Sequence, residues 1–276
     1  MAQSILEKQT DGSVKLTINI PQAKIEKARL EVVEAQAKQA NIAGFRRGKA
    51  PQKLVEDKLN GEQVQEEVLK KLLPEAYLAA IQEHNLRPIM NPKIHVDKLN
   101  ADADWQFTAI TTEMPEITLG EYKDKVRGIT AKSKIAIPGK ESEEPNFDEI
   151  MSAVVEAAKV QIPQVLIEQE VDRLLAQVLD DIKKLGLTLD QYLASTKRSP
   201  EDLRAEYAKR AEHDIKVEFI LQKIAETEKI SVEDKEIDEA IEKSKDPAER
   251  QQLEGNKYLL ASILRQQKTL DFLKNL

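Results

Sequence analysis

Ser13-Val14-Lys15-Leu16-Thr17-Ile18-Asn19-Ile20-Pro21 is the stretch that sets the fold of the first part of this chain. Apolar and polar residues alternate along it, which is the pattern of a β-strand with one buried face. Proline ends the pattern, because it has no N–H group to donate to a neighbouring strand. From Gln22 to Asn41 the apolar residues follow a helical period instead, so a strand and a helix are expected to pack together.

A basic loop bounded by glycines follows this helix. It reads Gly44-Phe45-Arg46-Arg47-Gly48-Lys49-Ala50-Pro51, and a short helix is predicted after it, from Gln52 to Leu59. Arg46 and Arg47 can each form paired hydrogen bonds with phosphate groups, and Phe45 offers a ring for stacking or for an apolar pocket. The loop therefore predicts contact with an anionic partner, namely RNA or RNA with adjoining protein.

Two simpler interpretations compete with this one. The first is an ordinary basic surface loop, and the helices on both sides of the loop count against it. The second is a nucleotide-binding phosphate loop. That interpretation fails because Ala50 follows Lys49, where such loops need a serine or threonine for magnesium, and because the glycines are too close together.

The rest of the first 112 residues continues the α+β pattern. A long helix is predicted from Glu62 to His84, with a kink at Pro74. Strands are predicted at Lys93 to Asp97 and at Asp104 to Thr112. Residues 1–112 are therefore expected to form a compact α+β domain.

From residue 113 to residue 145 the periodicity weakens, and prolines and glycines divide the segment into short pieces. We expect an extended linker here, with strand-like patches such as Lys134 to Ile137. After Pro145 the chain is predicted to be helical to its end. Ser199-Pro200-Glu201-Asp202 is a strong start signal for one of these helices, and Ser231-Val232-Glu233-Asp234 predicts a capping box for the next. The predicted helices are Phe147 to Lys159, Gln164 to Leu185, Leu189 to Thr196, Ser199 to Thr227, Ser231 to Lys245 and Ala248 to Asn275.

Several of these motifs resemble those of the ribosome-associated chaperones called trigger factors. The loop from Gly44 to Lys49 resembles the docking signature of that family, and the resemblance continues through Gly61 to Leu69 and Leu86 to Ile89. In the second half, Ile162 to Asp172 is similar to the start of a long helix in the family's substrate-binding body, and Leu187 to Leu193 also resembles the family. The resemblance implies a small N-terminal α+β ribosome-binding domain over 1–112 and an all-α C-terminal domain with long helical arms over 146–276.

The same resemblance assigns roles to residues. It implies that Gly44, Phe45, Arg46, Arg47, Gly48 and Lys49 dock at the ribosomal exit tunnel, on protein and ribosomal RNA. Trigger factors usually carry a prolyl-isomerase domain of the FKBP type in the middle of the chain, and a domain of that kind needs roughly a hundred residues. Residues 113–145 are too few for it, so we expect the isomerase domain to be absent and the protein not to be an enzyme.

Composition narrows the function classes further. The 276 residues include no cysteine, which excludes disulfides and thiol chemistry, and 33% are charged while only 4% are aromatic. The first eight residues lack the apolar core of a signal peptide, and no apolar run is long enough for a membrane span. We therefore expect a cytoplasmic protein that does not contact membranes. The net charge is −7, and residues 113–276 account for −8 of it, so an RNA contact is expected only from the first part.

No catalytic or metal-binding constellation is visible in the sequence. The three histidines, His84, His95 and His213, are too far apart for a metal-ligand spacing, and no nucleophile motif or dinucleotide motif is present. Most apolar residues of the long helices are expected to lie in the core, but helices that stand apart as arms would leave some of them on an inner face. The residues that we predict to bind client polypeptides on that face are Met151, Val154, Val155, Leu174, Leu175 and Val178.

The sequence thus predicts a chaperone that works without ATP or any other cofactor, docks at the ribosomal exit tunnel and shields nascent or unfolded polypeptides. Two alternatives stay open. One is a ribosome-independent holdase or assembly chaperone of the SurA type, and the other is a prolyl isomerase. The sequence does not decide between a monomer and a homodimer.

Overall fold

A computed structural model describes residues 3–39, 61–100, 103–133, 146–243 and 246–276 of the chain. These residues form two compact units. The first unit comprises Met1–Met114 together with Pro163–Leu166, and the second comprises Pro115–Ile162 together with Ile167–Leu276. The chain is thus α+β in its first part and helical in its second, as the sequence predicts.

The first unit is built on one antiparallel sheet. Its strands are β1 (Gln3–Lys8), β2 (Ser13–Ile20), β3 (Lys93–Lys98) and β4 (Trp105–Thr112), in the spatial order β1-β2-β4-β3. The alternation in β2 places its apolar side chains on one face, where each is 3% exposed or less. Three of the four strands were predicted. Strand β1 was not, because only Ile5 and Leu6 in it are apolar and a strand at the edge of a sheet needs no alternating pattern.

Two helices pack with the apolar face of this sheet. They are α1 (Gln22–Gln39) and α2 (Gly61–Glu83), and α2 continues through Pro74. Their inward side chains share one core with β2 and β4, in which Val33, Val68 and Phe107 are each 1% exposed. Both helices were predicted from the period of these apolar residues.

The second unit is helical. The capping residues that the sequence predicts at Ser199 are present. The Ser199 side chain accepts a hydrogen bond from the backbone N–H of Asp202, and the Asp202 side chain accepts one from the backbone N–H of Ser199. The helices of this unit are α3 (Tyr122–Ser133), α4 (Phe147–Ala157), α5 (Gln164–Lys184, whose first residues belong to the first unit), α6 (Leu189–Thr196), α7 (Pro200–Thr227), α8 (Asp234–Lys243), α9 (Pro247–Gly255) and α10 (Lys257–Lys274).

The expectation of an extended linker over 113–145 is wrong for residues 122–133. These residues form α3, and its side chains Tyr122 and Val126 lie in the core of the second unit with 4% and 0% exposure. The helix was missed because Gly128 and five charged residues obscure an apolar stripe only one residue wide per turn. The predicted patch at 134–137 lies outside the described residues.

Two helix boundaries also differ from the sequence prediction. The last helix was expected to run unbroken from Ala248, but the structure divides it at Asn256, directly after Gly255. Glycine weakens a helix interior, which accounts for a helix end at this position. Helix α8 begins at Asp234, later than expected, because the Glu236 carboxylate accepts the N–H of Glu233 and caps the helix there.

Candidate functional site

The two sets of predicted site residues have different outcomes in the structure. The basic loop, Gly44, Phe45, Arg46, Arg47, Gly48 and Lys49, lies outside the described residues. The six apolar residues are all described. Met151 and Leu174 are each 8% exposed and Val154 is fully buried, so these three side chains face the core and offer no surface to a partner. The other three are partly buried: Val155, Leu175 and Val178.

Exposed apolar surface occurs instead at the turn between α5 and α6. Leu185, Leu187 and Leu189, which we call the leucine turn, are 74%, 40% and 37% exposed. Gly186 between the first two has φ +73°, a left-handed conformation that glycine adopts without strain. Its N–H donates to the Lys183 carbonyl at 2.9 Å, which closes α5 and presents the leucines to solvent.

The start of α6 fixes the other side of this turn. The Thr188 hydroxyl accepts the N–H of Gln191 at 3.3 Å, and the Gln191 side chain accepts the N–H of Thr188 at 2.9 Å. This capping box satisfies two backbone donors that the helix start would leave unpaired. The leucine turn is therefore held by its own hydrogen bonds, and its apolar side chains are not needed for a core.

A second exposed apolar surface lies on α10. Tyr258, Leu259 and Ile263, which we call the α10 patch, are 91%, 59% and 52% exposed. The neighbouring exposed residues on this face, Ser262 and Gln266, are uncharged as well. In a chain with 33% charged residues, a face without charge is an uncommon feature of a solvated helix.

The α10 patch borders a groove between α7 and α10. The groove has a volume of about 470 Å³. Leu221, Ala225 and Ala261 provide apolar lining, and the polar lining includes the amide side chains of Gln222 and Gln266 and the charged side chains of Glu218 and Arg265. Amide groups can donate and accept hydrogen bonds, so such a groove can hold a polypeptide backbone beside apolar side chains.

Hydrogen bonds position α10 so that this face stays exposed. The Arg265 guanidinium donates to the carbonyl of Ile230 at 3.0 Å, and the Lys268 ammonium donates to the carbonyl of Ser231 at 2.7 Å. Lys268 also pairs with Glu236 at 2.9 Å, and this hydrogen bond lowers the pKa of the Glu236 carboxyl. Arg265 and Lys268 thus anchor α10 through hydrogen bonds, while the α10 patch stays exposed.

A cluster of side chains around Glu228 anchors α3. Glu228, at the end of α7, accepts hydrogen bonds from the Tyr122 hydroxyl at 2.9 Å and from the Lys123 ammonium at 2.8 Å. The bond from Lys123 lowers the pKa of Glu228, although partial burial opposes the shift. Burial, and then the bond to Glu228, raise the pKa of the Tyr122 phenol. The Lys123 ammonium also lies over the ring of Phe272, 5.9 Å from its centre. The cluster therefore connects α3, the end of α7 and α10.

Within the described residues no group of three histidines, acids or cysteines could hold a metal ion. Over the same ranges, no helix combines the length and the apolar character that a membrane crossing requires. Sequence reasoning missed both exposed surfaces, although each has a signal: a turn glycine flanked by leucines, and the run Tyr258 to Leu260, which is too apolar for the start of a solvated helix.

Comparison with known families covers nearly the whole chain. The model of the bacterial trigger factor protein matches residues 2–144, and that of the bacterial trigger factor C-terminus matches residues 118–276. No isomerase domain was detected in addition to these two matches.

Individual relatives agree with this match over a shorter stretch. The trigger factor of Enterococcus faecalis is 39% identical over 118 residues, which is 43% of this chain and 28% of that protein. The trigger factor of Staphylococcus carnosus is 36% identical over 117 residues, or 42% of this chain and 27% of that protein. The aligned part of the chain thus spans less than a third of the length of these curated relatives.

A solved structure extends the likeness in fold to the full length. It was reported as "Promiscuous Substrate Recognition in Folding and Assembly Activities of the Trigger Factor Chaperone", and it superposes with a TM-score of 0.65 at 14% identity. The superposition covers 98% of this chain and 99% of that one. At this identity the likeness concerns the fold alone. The two family models, each matching more than half of the residues, show that this chain belongs to the bacterial trigger factor family.

Proposed function

We propose that this protein is a cytoplasmic chaperone that docks at the ribosomal exit tunnel and binds nascent or unfolded polypeptides without ATP. The observation that carries the client-binding part is the exposed, uncharged α10 patch beside a groove, together with the leucine turn. Membership of the trigger factor family supports the same function. The related chaperone of known structure is described as recognising substrates promiscuously, which is consistent with surfaces that rely on apolar contact.

The affinity for a client polypeptide would depend on the apolar area that is buried on binding. Burial of apolar surface contributes about 25 cal/mol per Å², so several exposed side chains are needed for even weak binding. Such contacts have no preferred direction, and they therefore tolerate many client sequences. A client that folds buries its own apolar residues and is released, which requires no nucleotide.

The client surfaces can be tested by substitution with glutamine, which keeps the size and adds no charge. We expect Leu259→Gln with Ile263→Gln to reduce suppression of aggregation of an unfolded protein several-fold. The matched control is Leu30→Gln with Leu78→Gln, since these leucines of the first unit are 57% and 56% exposed. Equal losses in both double variants would refute the assignment of the α10 patch to clients.

A second pair of variants tests the leucine turn separately. Leu185 is more exposed than Leu187, so Leu185→Gln should reduce protection more than Leu187→Gln if the turn contacts clients. Neither change should alter the circular dichroism spectrum, because the turn is held by backbone and capping hydrogen bonds. Full protection by the double variant would exclude the leucine turn from the client site.

Docking would use the basic loop. Arg46, Arg47 and Lys49 would contact ribosomal RNA and acidic protein groups, while Phe45 would fill an apolar pocket. Changing Phe45, Arg46 and Arg47 to alanine should abolish co-sedimentation with ribosomes, and binding of the parent protein should weaken as salt rises.

The control for docking removes the same charge elsewhere in the first unit. Lys24 and Lys27 are exposed on α1, and changing both to alanine removes two positive charges, as the loop variant does. We expect this control to retain ribosome binding. Unchanged ribosome affinity in the loop variant would refute docking through this loop, whereas a parent protein that does not bind ribosomes would favour the ribosome-independent holdase.

A further inference from the structure

A pocket of about 570 Å³ lies within the second unit, apart from the α10 patch, the leucine turn and the cluster around Glu228. Sites for small ligands typically have volumes of about 300–1,000 Å³ and combine apolar walls with a few polar groups. The apolar lining of this pocket is Val155, Ala158, Val160 and Ile220. The polar lining is Glu116, Thr118, Lys159, Gln161 and Lys216.

Two extended segments form most of the polar rim. The N–H of Thr118 donates to the carbonyl of Lys159 at 3.0 Å, and the N–H of Lys159 donates to the carbonyl of Thr118 at 2.7 Å. The two segments are antiparallel, so this register places Glu116 opposite Gln161 and diagonal to Lys159. Diagonal neighbours of this kind are about 7–8 Å apart. The rim therefore carries a cation at one position and an anion about two residues away.

The charges of this rim are available to a ligand. Glu116 and Lys159 are both exposed, and within the described part of the chain neither side chain forms an ion pair. Lys216 is less accessible, since its side chain is 30% exposed and its ammonium is bound to Glu212 at 2.5 Å. Glu212 thus offsets much of the charge of Lys216, whereas Lys159 keeps its charge for a ligand.

A polypeptide end with a free carboxylate has the chemistry that this pocket requires. The carboxylate can accept charge-assisted hydrogen bonds from Lys159 and Lys216, and an apolar last side chain can contact Val155 and Ile220. Two extended residues span about 7 Å, so the N–H of the residue before the last can then donate to Glu116. We propose that this pocket binds the free C-terminus of a polypeptide whose last residue is apolar.

This proposal deepens the proposed chaperone function and rests on it for the source of the ligand. During synthesis the C-terminal residue of a nascent chain is an ester of transfer RNA and offers no free carboxylate. Hydrolysis of that ester at release creates the carboxylate. The pocket would therefore recognise completed clients, whereas the α10 patch and the leucine turn would contact apolar side chains anywhere along a client.

A labelled peptide tests the recognition of the carboxylate. The probe is the pentapeptide Gly-Ser-Gly-Ala-Leu with fluorescein at its N-terminus, prepared as the free acid and as the uncharged amide. Fluorescence anisotropy with the full chain at up to about 1 mM measures both, because so small a contact binds weakly. We expect the parent protein to bind the acid about tenfold more tightly than the amide. Replacing the last leucine of the peptide by serine should weaken binding of the acid about tenfold, since less apolar area is buried.

Substitutions in the protein test the position of the site. Lys159→Gln removes the exposed cation and leaves the backbone bridge to Thr118 in place. It should weaken binding of the acid about fivefold and change binding of the amide by less than about twofold. The control, Lys209→Gln, makes the same change in charge on an exposed residue of α7 outside the pocket, and it should alter neither value. Leu259→Gln with Ile263→Gln should leave the ratio of the two affinities unchanged, because the α10 patch has no cation for a carboxylate.

Two results would overturn the proposal, namely a preference for the acid that persists in Lys159→Gln and equal losses from Lys159→Gln and Lys209→Gln. The peptide assay and the aggregation assay fail independently. A parent protein that suppresses aggregation but binds acid and amide equally would refute the pocket and leave the chaperone function standing. A parent protein that prefers the acid but suppresses no aggregation would refute the chaperone function and leave the pocket as a site for chain ends.

Discussion

Val126→Ala tests whether α3 belongs to the second unit, where a sequence interpretation expects a linker. Val126 is fully buried in a core cluster with Ile150, Val154 and Ile224. Alanine preserves the helix and removes two methyl-sized groups from this cluster. In an extended linker the same change would have almost no effect.

The expected loss follows from the burial. Each buried methyl-sized group contributes about 0.8 kcal/mol, which gives about 1.6 kcal/mol for the two. The cavity that remains adds about 24 cal/mol per Å³, so a partly collapsed cavity brings the loss to about 2 kcal/mol. For a unit of this size, that loss lowers the melting temperature by about 4–8 °C.

Urea unfolding followed by circular dichroism measures this free energy, because the helical unit dominates the signal. The control is Lys125→Ala, one residue earlier on the same helix. Lys125 is 48% exposed and its ammonium lies 3.9 Å from Glu156, so its loss should cost no more than about 0.5 kcal/mol. A free energy of unfolding for Val126→Ala that equals that of Lys125→Ala would refute the placement of α3 in this core.

Four further predictions concern the same unit and the chemistry of the chain. Gly120 has φ +59°, and a Cβ there would lie 2.4 Å from the carbonyl oxygen of Ala157, so Gly120→Ala should destabilise the unit by more than about 1 kcal/mol in a urea titration. Gly128, inside α3, has open space around its Cα, so Gly128→Ala should stabilise the unit by about 0.5–1 kcal/mol, and a loss there would contradict the helix. Lys123 lowers the pKa of Glu228 in the folded state, so this pair stabilises the protein above the unfolded carboxyl pKa of about 4.3, and the contribution is lost as the pH falls through the lower folded value. At pH 7 we expect Glu228→Gln to be less stable than the parent by about 1 kcal/mol, a small value because Lys123 is partly exposed to solvent. This difference in stability should shrink below pH 4. A difference that grows below pH 4 would contradict the argument. Finally, nanomolar protein should not accelerate cis/trans isomerisation of a prolyl peptide, and turnover in that assay would show that the chain is an isomerase after all.

Local sequence patterns were sufficient to predict those helices and strands that bury one face and expose the opposite face to solvent. The alternation in β2 and the helical period in α2 each predict the element and the side of it that enters the core, because burial selects apolar residues at a fixed spacing. The N-terminus of α7 was likewise predicted, since Ser199 and Pro200 act on the backbone next to them. The family match depends on motifs of the same local kind.

Only the tertiary structure decided which apolar side chains are free. Val154 and Leu259 both lie at helical spacing among apolar neighbours, yet one is fully buried and the other is 59% exposed. Periodicity reports that a face is apolar, but exposure depends on whether another helix covers that face, and that helix is distant in sequence. The residues that periodicity predicted to bind clients therefore included core residues, and the exposure of the α10 patch and of the leucine turn was not predicted.

The same reason explains α3 and the edge of the sheet. Helix α3 is stabilised by burial of Tyr122 and Val126 against helices far along the chain, so its own sequence carries only a weak signal. That Ile94 and Val96 lie at an edge follows from the strand order β1-β2-β4-β3, which local sequence does not contain. The sequence by itself determined which segments are strands and helices with one apolar face, because those patterns arise from neighbouring residues. The tertiary structure decided which of those faces remain available to a partner, because that depends on contacts between residues distant in the chain.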